Sequence, residues 1–155
     1  MKLAAEVLDA ARARKVMIAT AESCTGGMVI AALTDIPGSS DVVERGFVTY
    51  TNAAKIEVLG VSPADLDAFG AVSEAVARAM AEGALANSRA QLAVSTTGIA
   101  GPGGSAHKPE GRVCFGLAGP DGARAETVEF GPLGRAQVRQ AAVEHALKML
   151  RAALG

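Results

Sequence analysis

The segment Ala21–Gly27, AESCTGG, places an acid, two hydroxyls, a thiol and two glycines between two apolar runs. Val16–Ala19 before it has the character of a buried strand, and Met28–Leu33 after it is apolar enough for a buried helix. A chain punctuated in this way is expected to pass from strand to helix at Ser23, Cys24 or Thr25. The first N–H groups of a helix have no partner within it, so a negative oxygen held there gains hydrogen bonds and a favourable dipole. Gly26 and Gly27 remove side chains where a ligand would touch backbone. Two readings stand at this point: an active-site turn, or a turn in which Ser23 or Thr25 simply caps the helix.

The same handover recurs along the chain. Gly46–Tyr50 reads as a strand, and Asn52 is placed to cap a helix from Ala53 to Leu59 that stops at Gly60. Ser62 before Pro63, and then Ser73, mark two further helix starts. Gln91–Thr96 reads as a third strand, with Leu92 and Val94 alternating, and it runs into the glycine-rich loop Thr97–Ser105. Gly111–Leu117 and Ala125–Phe130 form two more strands across a turn at Gly119–Gly122, a hairpin signature that makes part of the sheet antiparallel. An opening helix carries Leu3, Val7 and Ala11 on one face. A closing helix from about Arg135 carries Val143, Leu147, Leu150 and Leu154 on one stripe, with Glu144 and Lys148 paired on its exposed side. These elements predict a three-layer α/β/α domain with a mixed β-sheet, a single domain over residues 1–155.

Composition excludes several classes of function. Lysine and arginine number 15 against 16 acidic residues, for a net charge of −1, which leaves no electrostatic footprint for nucleic acid or an anionic membrane. No apolar run approaches the ~20 residues of a membrane span, and Glu6 and Asp9 spoil the N-terminus as a secretory signal. The 2 cysteines, Cys24 and Cys114, lie far apart in apolar surroundings, unlike a disulfide framework or a metal pair. A reducing, cytoplasmic setting is expected, with no metal and no cofactor.

If the first three strands run parallel, the loops after them share one edge of the sheet, where ligands of open α/β sheets bind. Those loops hold Ser23 and Cys24, then Tyr50, Asn52 and Lys55, then Thr97–Gly111. A serine hydroxyl needs a base, and a lysine serves when its pKa is lowered toward neutral. Lys55 sits in the first turn of a helix, where the dipole disfavours an ammonium; the plainer reading is a solvated lysine. Cys24 is the alternative nucleophile, although its place at the head of an apolar helix suits a small buried thiol better. Gly101–Ala106 matches GxGxxA and Ser105–Lys108 matches SxxK, but Pro109 and Gly111 leave no helix for either motif. His145 reads as structural or surface, whereas His107, in the long loop, could touch a ligand.

Taken together, AESCTGG, ERGFVTYTNAAK and STTGIAGPGGSAHKPEGRV resemble the family of the CinA carboxyl-terminal domain. The resemblance extends from about Leu3 to Leu150, with a loop shorter around Gly103. The family includes stand-alone nicotinamide-nucleotide amidases, and its larger members carry a further pyrophosphatase domain that this sequence is expected to lack. The resemblance implies metal-free deamidation of nicotinamide mononucleotide, with catalytic Ser23, Tyr50 and Lys55. Substrate contacts are expected from Cys24, Thr25, Gly26, Asn52, Thr97, Gly98, Gly101, Gly103, Gly104, Lys108, Arg135 and Arg139, the basic groups holding the phosphate. The expected partner is the small-molecule substrate, and the expected assembly a homodimer. Two alternatives stay open: a module that binds a pyridine nucleotide without turning it over, and an amidase for another substrate.

Overall fold

Period-two alternation along the first strand divides the molecule into its layers. In the computed structural model, which describes residues 1–105 and 107–155, strand β1 is Ile18–Glu22 and is buried along its whole length. Ile18 joins a core with Val29, Leu33, Phe115 and Leu147, while Ala19 and Ala21 point the other way into a second core with Val76 and Met80. Helices α1 (Lys2–Arg14), α2 (Met28–Thr34) and α6 (Arg135–Ala153) cover the first face. Helices α3 (Asn52–Leu59), α4 (Pro63–Phe69) and α5 (Glu74–Ala86) form the layer on the second.

Strands β2 (Val43–Val48), β3 (Leu92–Gly98), β4 (Arg112–Gly119) and β5 (Gly122–Glu129) complete a sheet of order β2-β1-β3-β4-β5. β1 pairs in parallel with β2 and β3, whereas β3–β4 and β4–β5 are antiparallel. The predicted α/β/α layering, the mixed sheet and the hairpin are all present. On the second face, a Cβ at Gly116 would collide with Ala77 O and Ser95 Oγ, so glycine there lets α5 lie directly on the sheet. Val143, Leu147, Leu150 and Leu154 are buried as their spacing predicts, and Lys148 pairs with Glu144 at 3.3 Å.

Several local expectations need correction. Helix α2 begins only at Met28, and its N-cap is Gly27 at φ 106, so neither Ser23 nor Thr25 caps it. The reason is the preceding residue: Glu22 lies on the same strand face as Ile18, and its carboxylate accepts the N–H groups of Val29 at 2.8 Å and Ile30 at 3.1 Å. An acid in that place satisfies two orphan donors and suits the helix dipole. Asn52 is not the cap of α3; Thr51 is, its hydroxyl accepting the Ala54 N–H at 3.1 Å. Ser62 and Ser73 do cap α4 and α5. The Gly101–Ala106 match ends at Ala106, outside the described residues. Ser105 and Lys108 face each other across an antiparallel bridge rather than along a helix.

Candidate active site

Parallel β1, β2 and β3 bring three C-terminal loops to one edge of the sheet, and the chemistry collects there. The turn Ser23–Gly27 bends through two left-handed glycines, Gly26 at φ 59 and Gly27 at φ 106, which other residues adopt only under strain. This bend leaves Ser23 at the sheet edge while Glu22, one residue earlier, is still in the strand. Thr25 Oγ1 donates to Glu22 Oε1 at 2.5 Å and lies 2.8 Å from Thr96 Oγ1. Since a hydroxyl has one proton, Thr96 is the donor in that second contact.

Across the edge, α3 carries Lys55 inward. The lysine is 1% exposed, and its Nζ lies 2.9 Å from Ser23 Oγ, 2.8 Å from Thr49 O and 3.2 Å from Tyr50 O. None of these partners is a carboxylate. Burial pulls the ammonium below the usual lysine value, opposed only by the nearby Cys24. A neutral amine has two N–H donors and one lone pair. The two carbonyls match the donors, and the Ser23 hydroxyl can then donate to the lone pair. The solvated reading of Lys55 is therefore wrong. Cys24 is also buried, and desolvation pushes its thiol up to about 11, so it holds little thiolate at neutral pH.

A cavity of about 390 Å³ opens over this pair. Ser23, Cys24, Tyr50 and Lys55 line it together with Thr97, Gly98, Gly101, Gly103 and Gly104. Arg135, at the first turn of α6, closes the rim: its guanidinium donates to Gly101 O at 2.7 Å and to the Tyr50 hydroxyl at 3.0 Å. Tyr50 meets Lys55 through its main-chain carbonyl, and its hydroxyl is bonded to neither Ser23 nor Lys55.

Five expected contact residues do not line the cavity. Asn52 is exposed on α3, and Thr25 is turned toward Glu22 and Thr96. Gly26, within the turn, is not part of the cavity lining, and nor is Arg139, which holds the Cys24 and Thr25 carbonyls. Lys108 is engaged elsewhere, its ammonium donating to Phe69 O and Val72 O. His107 is exposed in the turn at φ 67, and His145 is structural, 2.8 Å from Glu126 and packed on Phe115. Sequence reasoning missed Glu22 as the anchor of the turn. Its signal was present: an acid on the core-facing register of a strand, just ahead of a helix start.

Among the described residues there is no cluster of three or more His, Cys, Asp or Glu placed to hold a metal ion, and no helix is long and apolar enough to cross a membrane. The fold and edge define an α/β protein that joins a serine to a buried, carboxylate-free lysine. The chain belongs to the CinA C-terminal domain family, whose profile matches residues 1–154. It is 55% identical over 122 residues to a protein of Enterobacter agglomerans named nicotinamide-nucleotide amidohydrolase PncC, covering 78% of this chain and 74% of that one. It is 56% identical over 121 residues to a CinA-like protein of Chlorobaculum tepidum, covering 76% of this chain and 29% of that one. The chain thus matches only about a third of the length of the CinA-like relatives. A crystal structure of the competence/damage inducible protein CihA from Agrobacterium tumefaciens superposes with a TM-score of 0.94 at 50% identity, covering 99% of this chain and 93% of that one.

Proposed function

We propose that this chain is a nicotinamide-nucleotide amidase, hydrolysing the carboxamide of nicotinamide mononucleotide to nicotinate mononucleotide and ammonia. One observation carries the reading: Ser23 Oγ stands 2.9 Å from the Nζ of a buried lysine that no carboxylate holds in its charged form. The name of the Enterobacter agglomerans relative supplies the substrate.

The steps follow from the pair. Neutral Lys55 takes the hydroxyl proton as Ser23 Oγ bonds to the carboxamide carbon. The oxyanion is met at the turn. Ser23 N–H is committed to Thr96 O and Gly26 N–H to Ser23 O, whereas Cys24 lines the cavity and its N–H has no backbone acceptor among the described residues. Lys55 returns its proton to the nitrogen as the C–N bond breaks, and ammonia leaves. Water then attacks the acyl-enzyme with Lys55 again taking the proton, which goes back to Ser23 Oγ. Tyr50 contributes its carbonyl to hold Nζ, while Arg135 and the glycine-rich loop offer donors for the anionic end of the substrate. No step calls for a metal or cofactor.

The test is ammonia release from nicotinamide mononucleotide by the purified chain, with and without chelator, against free nicotinamide and asparagine as controls. Release confined to the mononucleotide and insensitive to chelator is expected. Binding without release would favour a non-catalytic nucleotide-binding module, and release from other amides instead would move the substrate.

A further inference from the structure

We infer that Glu110 is a positioning residue: its carboxylate clamps the glycine-rich lip to the start of α6 and thereby aims Arg135 at the anionic end of the substrate. The inference rests on the reading of the cavity as a mononucleotide site. Of the basic residues expected to hold the phosphate, Lys108 is committed to main-chain carbonyls and Arg139 to the carbonyls of the turn, and only Arg135 lines the cavity. The hydrogen bonds of Arg135 go to Gly101 O and the Tyr50 hydroxyl, which leaves further N–H groups of its guanidinium for a ligand.

Glu110 is not part of the cavity lining, yet it holds the residues that are. Its Oε1 accepts the Gly103 N–H at 2.7 Å and its Oε2 the Gly134 N–H at 3.3 Å, so one carboxylate joins the lip to the residue before Arg135. Arg135 makes the second tie itself, donating to Gly101 O at 2.7 Å. The lip is thus fastened to the head of α6 twice, and the second fastening is the guanidinium that faces the ligand. Gly101 permits the close approach: a Cβ there would stand 2.5 Å from Glu110 Cδ, and its φ of 91 suits glycine. Without the carboxylate, the Gly103 and Gly134 N–H groups turn to water, the lip is free to lift, and Gly101 O no longer fixes the guanidinium at the cavity. Charge alone argues the opposite way. A carboxylate near an anion repels it, so removing Glu110 would tighten binding if its charge were all that mattered. As a clamp, its removal weakens binding, and the two accounts differ in sign.

The test is calorimetric titration of nicotinamide mononucleotide into Ser23→Ala protein, which stops turnover. Glu110→Gln, Glu110→Ala and Arg135→Gln are added singly, and Glu110→Ala is also combined with Arg135→Gln. Glu110→Ala should weaken binding at least ~10-fold, the order of a lost hydrogen bond to a charged group. Glu110→Gln, which keeps one acceptor oxygen, should fall between it and the parent. On top of Arg135→Gln, Glu110→Ala should cost less than about twofold, because a residue that acts through Arg135 then has nothing to aim. With Ser23 restored, Glu110→Ala should raise KM by a similar factor and leave kcat within about threefold. Tighter or unchanged binding in Glu110→Ala, or a loss that adds in full to that of Arg135→Gln, would overturn the inference and leave the amidase reading standing. If Glu110→Ala does not fold, Glu110→Gln decides by the same sign. A Ser23→Ala protein that binds no mononucleotide would instead remove the substrate reading, and the inference with it.

Discussion

At the scale of single residues, the site is governed by what water cannot reach. Ser23, Cys24 and Lys55 are all buried, but burial acts oppositely on the two titratable groups: it keeps the thiol protonated and favours the neutral amine. Iodoacetamide at neutral pH should therefore leave turnover intact, with Cys24 unmodified by peptide mass analysis; rapid inactivation would transfer the nucleophile's role to the thiol. Ser23→Ala should lower kcat by about 10⁴-fold or more, as removal of a nucleophile does, while calorimetry finds nucleotide affinity within a few-fold. The acidic limb of the kcat/KM profile should report Lys55 and fall below the ordinary lysine value of about 10.4, activity rising as the amine loses its proton. Lys55→Arg, which stays charged at every accessible pH, should lose that limb together with activity.

At the scale of elements, α2 is a short helix whose start depends on a strand residue. Its N-cap Gly27 provides no side chain, and the first-turn donors of Val29 and Ile30 are satisfied by Glu22. Glu22→Gln leaves one amide oxygen where two carboxylate oxygens served, and turns an NH₂ group toward donors. Hydrogen bonds to a charged group contribute about 1.5–3 kcal/mol. Urea unfolding should show a loss of that order, with faster amide exchange at Val29 and Ile30; unchanged exchange there would mean that α2 is held by packing alone. The loop after β3 follows the same logic in reverse. It needs no helix because Glu110 accepts the N–H of Gly103 at 2.7 Å and of Gly134 at 3.3 Å, tying the glycine-rich lip to the start of α6.

For the whole molecule, a buried lysine with no ion-pair partner among the described residues is a cost of folding that depends on pH. Its folded pKa is lowered, so between that value and the unfolded value of about 10.4 the unfolded chain binds more protons. Stability contributed by this group is fully present above the unfolded value and is lost as pH falls through the folded one. Chemical denaturation of wild type and Lys55→Met across this window should show the wild type gaining stability relative to the variant as pH rises. Parallel slopes would place the lysine charge in solvent.

How much of this was legible beforehand differs by level, for a physical reason. Local signals were sufficient for the layers, the hairpin, the helix starts at Ser62 and Ser73 and the buried stripe of α6, because each depends on the period of apolar residues or on turn chemistry within a few positions. The family motif pointed to Ser23 and Lys55 before their distance was known. What the tertiary structure alone decided was which polar side chains face each other across elements distant in sequence. Nothing local to α6 tells Arg135 at the cavity rim from Arg139 on the turn carbonyls, since both lie on one helix face. Lys108 and Tyr50 likewise spend their polar groups on the Phe69 and Val72 carbonyls and on Arg135. A side chain's partner is set by where the packed layers bring distant loops, and that is a property of the assembled sheet, not of the residue.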